Sequence, residues 1–317
     1  EDNTCTENPT TIPTCFEINS ATSRWAGSFV TARSDRWGIL PFCTGTPAPS
    51  EYSGKPAKRR TSHKRRYVRI TITGSGTAVP SNERYSSGVF VENSGIRSMI
   101  DFGYGTLHHL LKLNLTYHDI DRIFFTHNHP DHMCDLVPFL FATRYEADPR
   151  TSDLEIVGAP GFGAYFDTLM QAYKRWLVPT TYTLQVTEQD EETREYGGLT
   201  VTSKKVEHVV LSRGYRFKDT GGKTLVVSGD TDYCEGMIDL GKEADLMILE
   251  CSVPDSMKVQ GHLTPTECGK LAREANCKKL CLTHFYPVCD LEEVHAACAK
   301  EYGGELVLAE DLMEFGL

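Results

Sequence analysis

Short apolar runs separated by turn residues dominate the chain from Tyr67 onward, and their spacing predicts strands and helices in a definite order. Residues 68–72 (Val-Arg-Ile-Thr-Ile) alternate with the period of a strand and run into the turn-prone Gly74-Ser75-Gly76-Thr77. Residues 88–91 and 98–101 predict the next two strands, and 122–125 another. Later strands are predicted at 154–157, 199–202, 224–227, 246–249 and 279–282. Helical spacing predicts a helix over 106–115, with Thr106 as its cap and Leu107, Leu110, Leu111 and Leu115 on one face. Further helices are predicted at 163–176, 266–275 and 291–302. Strands come first in runs and later alternate with helices. That order predicts an α/β (α+β) chain of mixed sheets covered by helices, not a simple doubly wound sheet.

Before Tyr67 this regularity lapses. The segment is rich in Thr, Ser and Pro, and ends in a basic run of Lys55, Lys58, Arg59, Arg60, Lys64, Arg65 and Arg66 with no acid among them. Such a segment cannot bury enough apolar surface to offset its ordering entropy. Residues 1–66 are therefore expected to form a disordered, low-complexity extension, and 67–317 the folded domain. The whole chain, at 317 residues with 40% hydrophobic and 24% charged residues, has the composition of a globular protein. Its net charge of −10 argues against a protein that coats nucleic acid non-specifically. No apolar run of about 18 residues is present, so no membrane span is expected. The start, Glu1-Asp2-Asn3, predicts no secretory signal. Eleven cysteines without a C-x-x-C pair read as reduced, mostly buried thiols of a cytoplasmic protein.

The chemistry is concentrated in Thr126-His127-Asn128-His129-Pro130-Asp131-His132, directly after the apolar residues ending at Phe125. Three imidazoles and a carboxylate within six residues make poor core, because burying them unpaired costs several kcal/mol. A turn with His127 and His129 on one side and Asp131 with His132 on the other can serve two adjacent cations. Imidazole nitrogen and carboxylate oxygen suit zinc and similar first-row metals.

This H-x-H-x-D-H motif resembles that of the metallo-β-lactamase superfamily, and four more elements match in order. Asp101-Phe102-Gly103 is similar to the early aspartate element that buttresses the metal loop without touching metal. Glu207-His208, Ser228-Gly229-Asp230 and Thr283-His284 supply the remaining ligands. Taken singly, His208 and His284 read as structural histidines and Asp230 as a turn residue. All of them follow apolar strands, so they can converge on one edge of the sheets. The resemblance covers 67–317 and implies an αββα sandwich, two mixed β-sheets flanked by helices. It implies that His127, His129 and His208 hold one metal, that Asp131, His132 and His284 hold the other, and that Asp230 bridges them. The implied cofactors are two divalent ions, zinc first, with manganese or iron as alternatives. Two such ions lower the pKa of a shared water towards neutrality.

Gly261-His262-Leu263-Thr264-Pro265 is similar to the histidine motif of the ribonuclease Z branch and its phosphodiesterase relatives. The resemblance gives His262 a general-acid role, so His262 and Asp131 are the expected catalytic residues. Ribonuclease Z carries a long transfer-RNA arm between the histidine and aspartate that correspond to His208 and Asp230. Here only about twenty residues intervene, enough for a hairpin through Gly221-Gly222. The expected substrate is thus a small phosphodiester, with transfer RNA disfavoured. Lactone, thioester or aryl-sulfate hydrolysis on the same site is the alternative, and an iron-dependent oxidoreductase a more distant one. A homodimer is expected by analogy with the family.

Overall fold

The computed structural model describes residues 68–317. The expected N-terminal extension and its basic run lie outside the described residues. In chain order the first strands are β1 (Arg69–Gly74), β2 (Gly88–Asn93), β3 (Ile96–Ile100), β4 (Arg122–Phe124), β5 (Leu154–Gly158) and β6 (Leu184–Glu188). Then come β7 (Thr193–Glu195), β8 (Leu199–Lys205), β9 (Arg213–Asp219), β10 (Thr224–Val227), β11 (Leu246–Glu250), β12 (Lys279–Thr283), β13 (Glu305–Leu308) and β14 (Glu314–Gly316). They form two seven-stranded sheets, ordered β14-β1-β2-β3-β4-β5-β6 and β13-β12-β11-β10-β9-β8-β7. Both sheets are mixed: β3 to β6 run parallel, as do β10 to β13, while the remaining pairs are antiparallel.

Seven helices are described: α1 (Thr106–Lys112), α2 (Pro130–Met133), α3 (Leu136–Ala142), α4 (Phe162–Tyr173), α5 (Glu235–Gly241), α6 (Pro265–Glu274) and α7 (Leu291–Glu301). Three apolar cores explain the layering. Val89, Val91, Phe124 and Val157 of one sheet meet Val201, Tyr215, Leu225, Val227 and Ile248 of the other. Phe90, Met99, Ile123 and Ile156 pack outward with residues of α1, α3 and α4. Val226, Met247, Leu249 and Leu280 pack outward with residues of α5, α6 and α7. Successive residues of a strand thus serve different cores, and both faces are buried. This is the αββα sandwich that the resemblance implies. Among the described residues, no helix is long and apolar enough to cross a membrane.

Several local expectations need correction. The helix predicted over 106–115 ends at Lys112, and its cap is Gly105, not Thr106. Gly105 sits at φ 91°, and a Cβ there would come within 2.4 Å of the Tyr85 ring, so the turn demands glycine. Leu107 and Leu110 face the core, but Leu111 lies further round the short helix and is exposed. The strands β6, β7, β9, β13 and β14 are additional to those the spacing predicts; Leu184 and Val186 do alternate in β6, but over only five residues. β9 (Arg-Gly-Tyr-Arg-Phe-Lys-Asp) mixes charges with the buried Tyr215 and Phe217. As expected, β9 and β10 form a hairpin through Gly221-Gly222, with Asp219 Oδ1 accepting from the Gly221 and Lys223 amides at 2.9 and 2.7 Å.

One pair of bonds ties the sheets together just beneath the histidine loop. Tyr215 Oη donates to the Phe125 carbonyl at 3.0 Å, and the Arg213 amide donates to the Thr126 carbonyl at 2.9 Å. Tyr215 is fully buried, so Tyr215→Phe strands a carbonyl away from water. It is expected to lower stability by about 1–3 kcal/mol with the ring still packed. Urea unfolding monitored by circular dichroism checks this, and an unchanged midpoint would show that the bond carries no weight.

Candidate metal centre

Strands that run the same way end on the same edge of a sheet, where α/β proteins build their sites. Asp101 directly follows β3, and Thr126 to His132 follow β4. His208 lies three residues past β8, Asp230 three past β10, and His284 directly follows β12. All seven histidines and aspartates expected as ligands come together there. Ligand atoms of His127, His129, His208 and Asp230 lie within 4.8 Å of one another, as do those of Asp131, His132 and His284.

Asp230 divides these two groups by its two oxygens. Oδ2 lies 3.7 Å from Nε2 of both His127 and His208. Oδ1 lies 3.2 Å from Nε2 of His132 and 3.4 Å from Nε2 of His284. His284 Nε2 also reaches Asp131 Oδ2 at 3.3 Å, and Nδ1 of His129 stands 3.1 Å from Nε2 of His208. Nε2 of His127, Nε2 of His132 and Oδ1 of Asp230 are buried without a hydrogen-bond partner among the described residues. Such an atom costs about 1–3 kcal/mol when left unsatisfied. Cations between the two groups would satisfy all three, so the residues present fit divalent metal ions.

The outer nitrogens are already engaged, which sets the inner ones. His132 Nδ1 meets Asp101 Oδ2 at 2.7 Å, and His208 Nδ1 meets the Gly261 carbonyl at 2.9 Å. His127 Nδ1 stands 3.1 Å from Thr126 Oγ1, and His284 Nδ1 3.0 Å from Ser252 Oγ. A histidine that donates through Nδ1 turns the lone pair of Nε2 inward, the usual arrangement behind a metal-binding imidazole.

A family model described as the beta-lactamase superfamily domain matches residues 99–285. The chain belongs to the beta-lactamase superfamily. It is similar to ribonuclease Z of Brevibacillus brevis, 28% identical over 69% of this chain and 85% of that protein. The metallo-beta-lactamase fold protein YhfI of Bacillus subtilis has the same fold, with a TM-score of 0.71 at 24% identity, over 79% of this chain and all of that one. Human tRNase Z, short form, aligns at a TM-score of 0.62 and 26% identity, over 78% of this chain and 98% of that one. The chain is thus a metal-dependent hydrolase of the ribonuclease Z and phosphodiesterase branch.

Charge in this superfamily hydrolase is distributed unevenly. Burial pushes the His127 pKa down to about 2, helped by the neighbouring His132, and keeps that imidazole neutral. Burial also presses on His132, but the Asp230 and Asp101 carboxylates outweigh it and hold its pKa well above the usual value. Burial opposes the charge on Asp230, yet His284 and His132 hold it ionised, far below the ordinary carboxylate range.

His262 stands at the open side of the group, with Nδ1 3.9 Å from Asp230 Oδ2. The same nitrogen meets Glu250 Oε1 at 2.9 Å. Glu250 is buried at the end of β11 and also accepts from the Thr231 amide, the Ser252 amide and Ser252 Oγ, at 3.1, 3.0 and 2.8 Å. Burial lowers the His262 pKa, but the bond to Glu250 and its charge more than reverse this, so His262 holds its proton above the usual pH. Glu250 and Ser252 were absent from the expected site. The signal was present, because Glu250 is an acid directly after the apolar run 246–249, the pattern that marked Asp101 and Asp230.

Asp101 accepts from the Thr126 amide and Thr126 Oγ1, each at 2.8 Å, as well as from His132. It therefore fixes both the start of the histidine loop and one imidazole. Asp101→Asn is expected to weaken metal retention about 10–100-fold. Chelator competition followed by elemental analysis measures this, and retention equal to the unaltered protein would remove Asp101 from that role.

Proposed function

We propose that this chain is a dinuclear metal-dependent phosphodiesterase acting on a small phosphodiester. The observation that carries the reading is Asp230: each carboxylate oxygen faces a separate pair of histidines, and His262 stands beside it outside both pairs. His127, His129 and His208 would hold one ion, Asp131, His132 and His284 the other, with Asp230 shared; zinc is the first choice and manganese or iron the alternatives. When bound, such ions supply an activated water near neutral pH and a positive field for the phosphoryl oxygens.

The protein's own part is to orient and to move protons. Asp101, Gly261, Ser252 and Thr126 aim the imidazoles. Glu250 holds His262 through Nδ1, which leaves Nε2 as the nitrogen that delivers a proton to the departing oxygen. Such a proton matters most for an ester whose leaving oxygen is a poor anion, as in a phosphodiester of an alcohol.

Two features favour a small substrate over transfer RNA. The stretch from His208 to Asp230 is taken up by β9, β10 and their tight turn. The acid excess falls on residues after Tyr67, since the segment before it is net basic, and a phosphate-rich macromolecule gains little from an acidic partner. Buried free thiols at Cys251, Cys268, Cys277, Cys281 and Cys298 suit the reducing cytoplasm.

On metal-loaded protein, a bis-aryl phosphodiester is expected to turn over faster than a lactone, a thioester or an aryl sulfate. Turnover of the lactone alone would overturn the substrate class while leaving the site intact. His262→Ala is expected to lower kcat about 100-fold or more on a diester with an alcohol leaving group, with metal content unchanged. Asp230→Ala is expected to lose metal, and full occupancy of both positions in that variant would contradict the bridging role.

A further inference from the structure

We propose that Lys258 is a positioning residue that clamps the His262 loop in its working geometry, an inference that rests on the general-acid reading of His262. The loop joins β11 to α6 and runs over the surface, where a segment ordinarily has freedom to shift. Lys258 Nζ lies 2.6 Å from Asp232 Oδ1, 2.6 Å from Glu267 Oε2 and 2.6 Å from the carbonyl of His262 itself. An ammonium has three N–H bonds, and here they meet three acceptors from three different segments. Asp232 lies two residues past Asp230, the His262 carbonyl belongs to the loop, and Glu267 is on the first turn of α6.

The two carboxylates extend the grip to both sides of His262. Asp232 Oδ2 accepts from the Gly261 amide at 2.8 Å, and Glu267 Oε2 accepts from the Thr264 amide at 3.0 Å. The latter is half of a capping box in which Thr264 also caps α6. The Gly261 carbonyl in turn receives His208 Nδ1. Gly261 has φ 88°, and a Cβ there would meet His208 Nδ1 at 3.0 Å, so this close approach needs glycine. One ammonium thus fixes the backbone on which His262 stands.

Stability alone does not account for such an arrangement. The side chains of Lys258, Asp232 and Glu267 remain 33%, 23% and 26% exposed, and partly solvated ion pairs contribute little to folding. What the clamp supplies is position. A misplacement of about 1 Å can cost roughly 100-fold in rate, so a loosened loop would appear in the proton-delivery step first.

The test compares two diesters on metal-loaded protein: bis(p-nitrophenyl) phosphate, whose leaving anion needs no proton, and a dinucleoside phosphate, whose leaving alcohol does. Lys258→Met keeps the stem and removes the donors. It is expected to lower kcat on the dinucleoside phosphate about tenfold or more, with bis(p-nitrophenyl) phosphate turnover, KM and metal content nearly unchanged. Lys258→Arg should recover part of the loss, and Glu267→Gln should reproduce it in weaker form. Equal effects on both substrates, or none on either, would overturn the clamp. His262→Ala is run beside it. Should His262→Ala discriminate between the substrates while Lys258→Met does not, the clamp falls alone; should His262→Ala also fail to discriminate, the general-acid reading falls and the clamp with it.

Discussion

Every part of this molecule answers to one electrostatic constraint: Asp230 is buried and ionised, and its two oxygens must be satisfied without water. An isolated carboxylate in that position would neutralise or unfold its surroundings. Four imidazoles converge on it instead, from loops after β4, β8 and β12. Yet Nε2 of two of those imidazoles and one of its own oxygens still lack a hydrogen-bond partner among the described residues. The arrangement is therefore incomplete as a hydrogen-bonded network and complete as a cage for cations. The same feature explains why Nε2 of His127 and His132 is bare while every outer nitrogen of His127, His132, His208 and His284 has a neighbour.

The sheets exist, in functional terms, to bring those loops to one edge. Because β3 to β6 and β10 to β13 are parallel, their carboxyl ends line up, and each candidate ligand needs only to sit within a few residues of a strand end. This is why so much of the site was legible in the sequence. His127, Asp230 and His284 each follow an apolar run of three residues by two or three positions, and that shared pattern, beside the motif resemblance, put them at the same level. The fold was legible where both faces of a strand are apolar, as in β10, β11 and β12. It was illegible in β7, β9 and β14, where exposure at a sheet edge, or Arg213 and Asp219 on the same face as Tyr215 and Phe217, broke the period. There the pairing partners, not the residues themselves, decide that the chain is extended.

The layer behind the ligands was harder to read, for a physical reason. Candidate ligands announce themselves because histidine and aspartate after buried strands are costly unless used. Supporting groups such as Ser252, Thr126 and Gly261 are ordinary residues whose meaning lies in what they face, and that depends on segments far away in sequence. Ser252 touches His284 and Glu250, 32 and 2 residues distant. Glu250 is the intermediate case, since it had the strand-end signature but no motif to draw attention to it. Lys258 is the extreme one. On the sequence it is a surface lysine, and only the meeting of Asp232, Glu267 and the His262 carbonyl gives it a role.

Backbone strain shows how tightly the edge is determined. Asp101 and His284 both adopt left-handed conformations, at φ 58° and 63°, although neither is glycine. Each such residue costs of order 1–3 kcal/mol and persists only where its surroundings insist. Here they do: the Asp101 amide is held by the Phe124 carbonyl at 2.8 Å, and the His284 amide by the Ser75 carbonyl at 2.9 Å. The left-handed residue directly follows β3 and β12 and ends each strand. Gly229, just before Asp230, is left-handed too, at φ 61°, in a space where a Cβ would meet Thr126 at 2.5 Å. Two of the turns that aim the cluster are therefore held in unfavourable conformations by neighbours from elsewhere in the chain, and the third is open only to glycine. That is stability given up so that the side chains need not move when a cation or a substrate arrives.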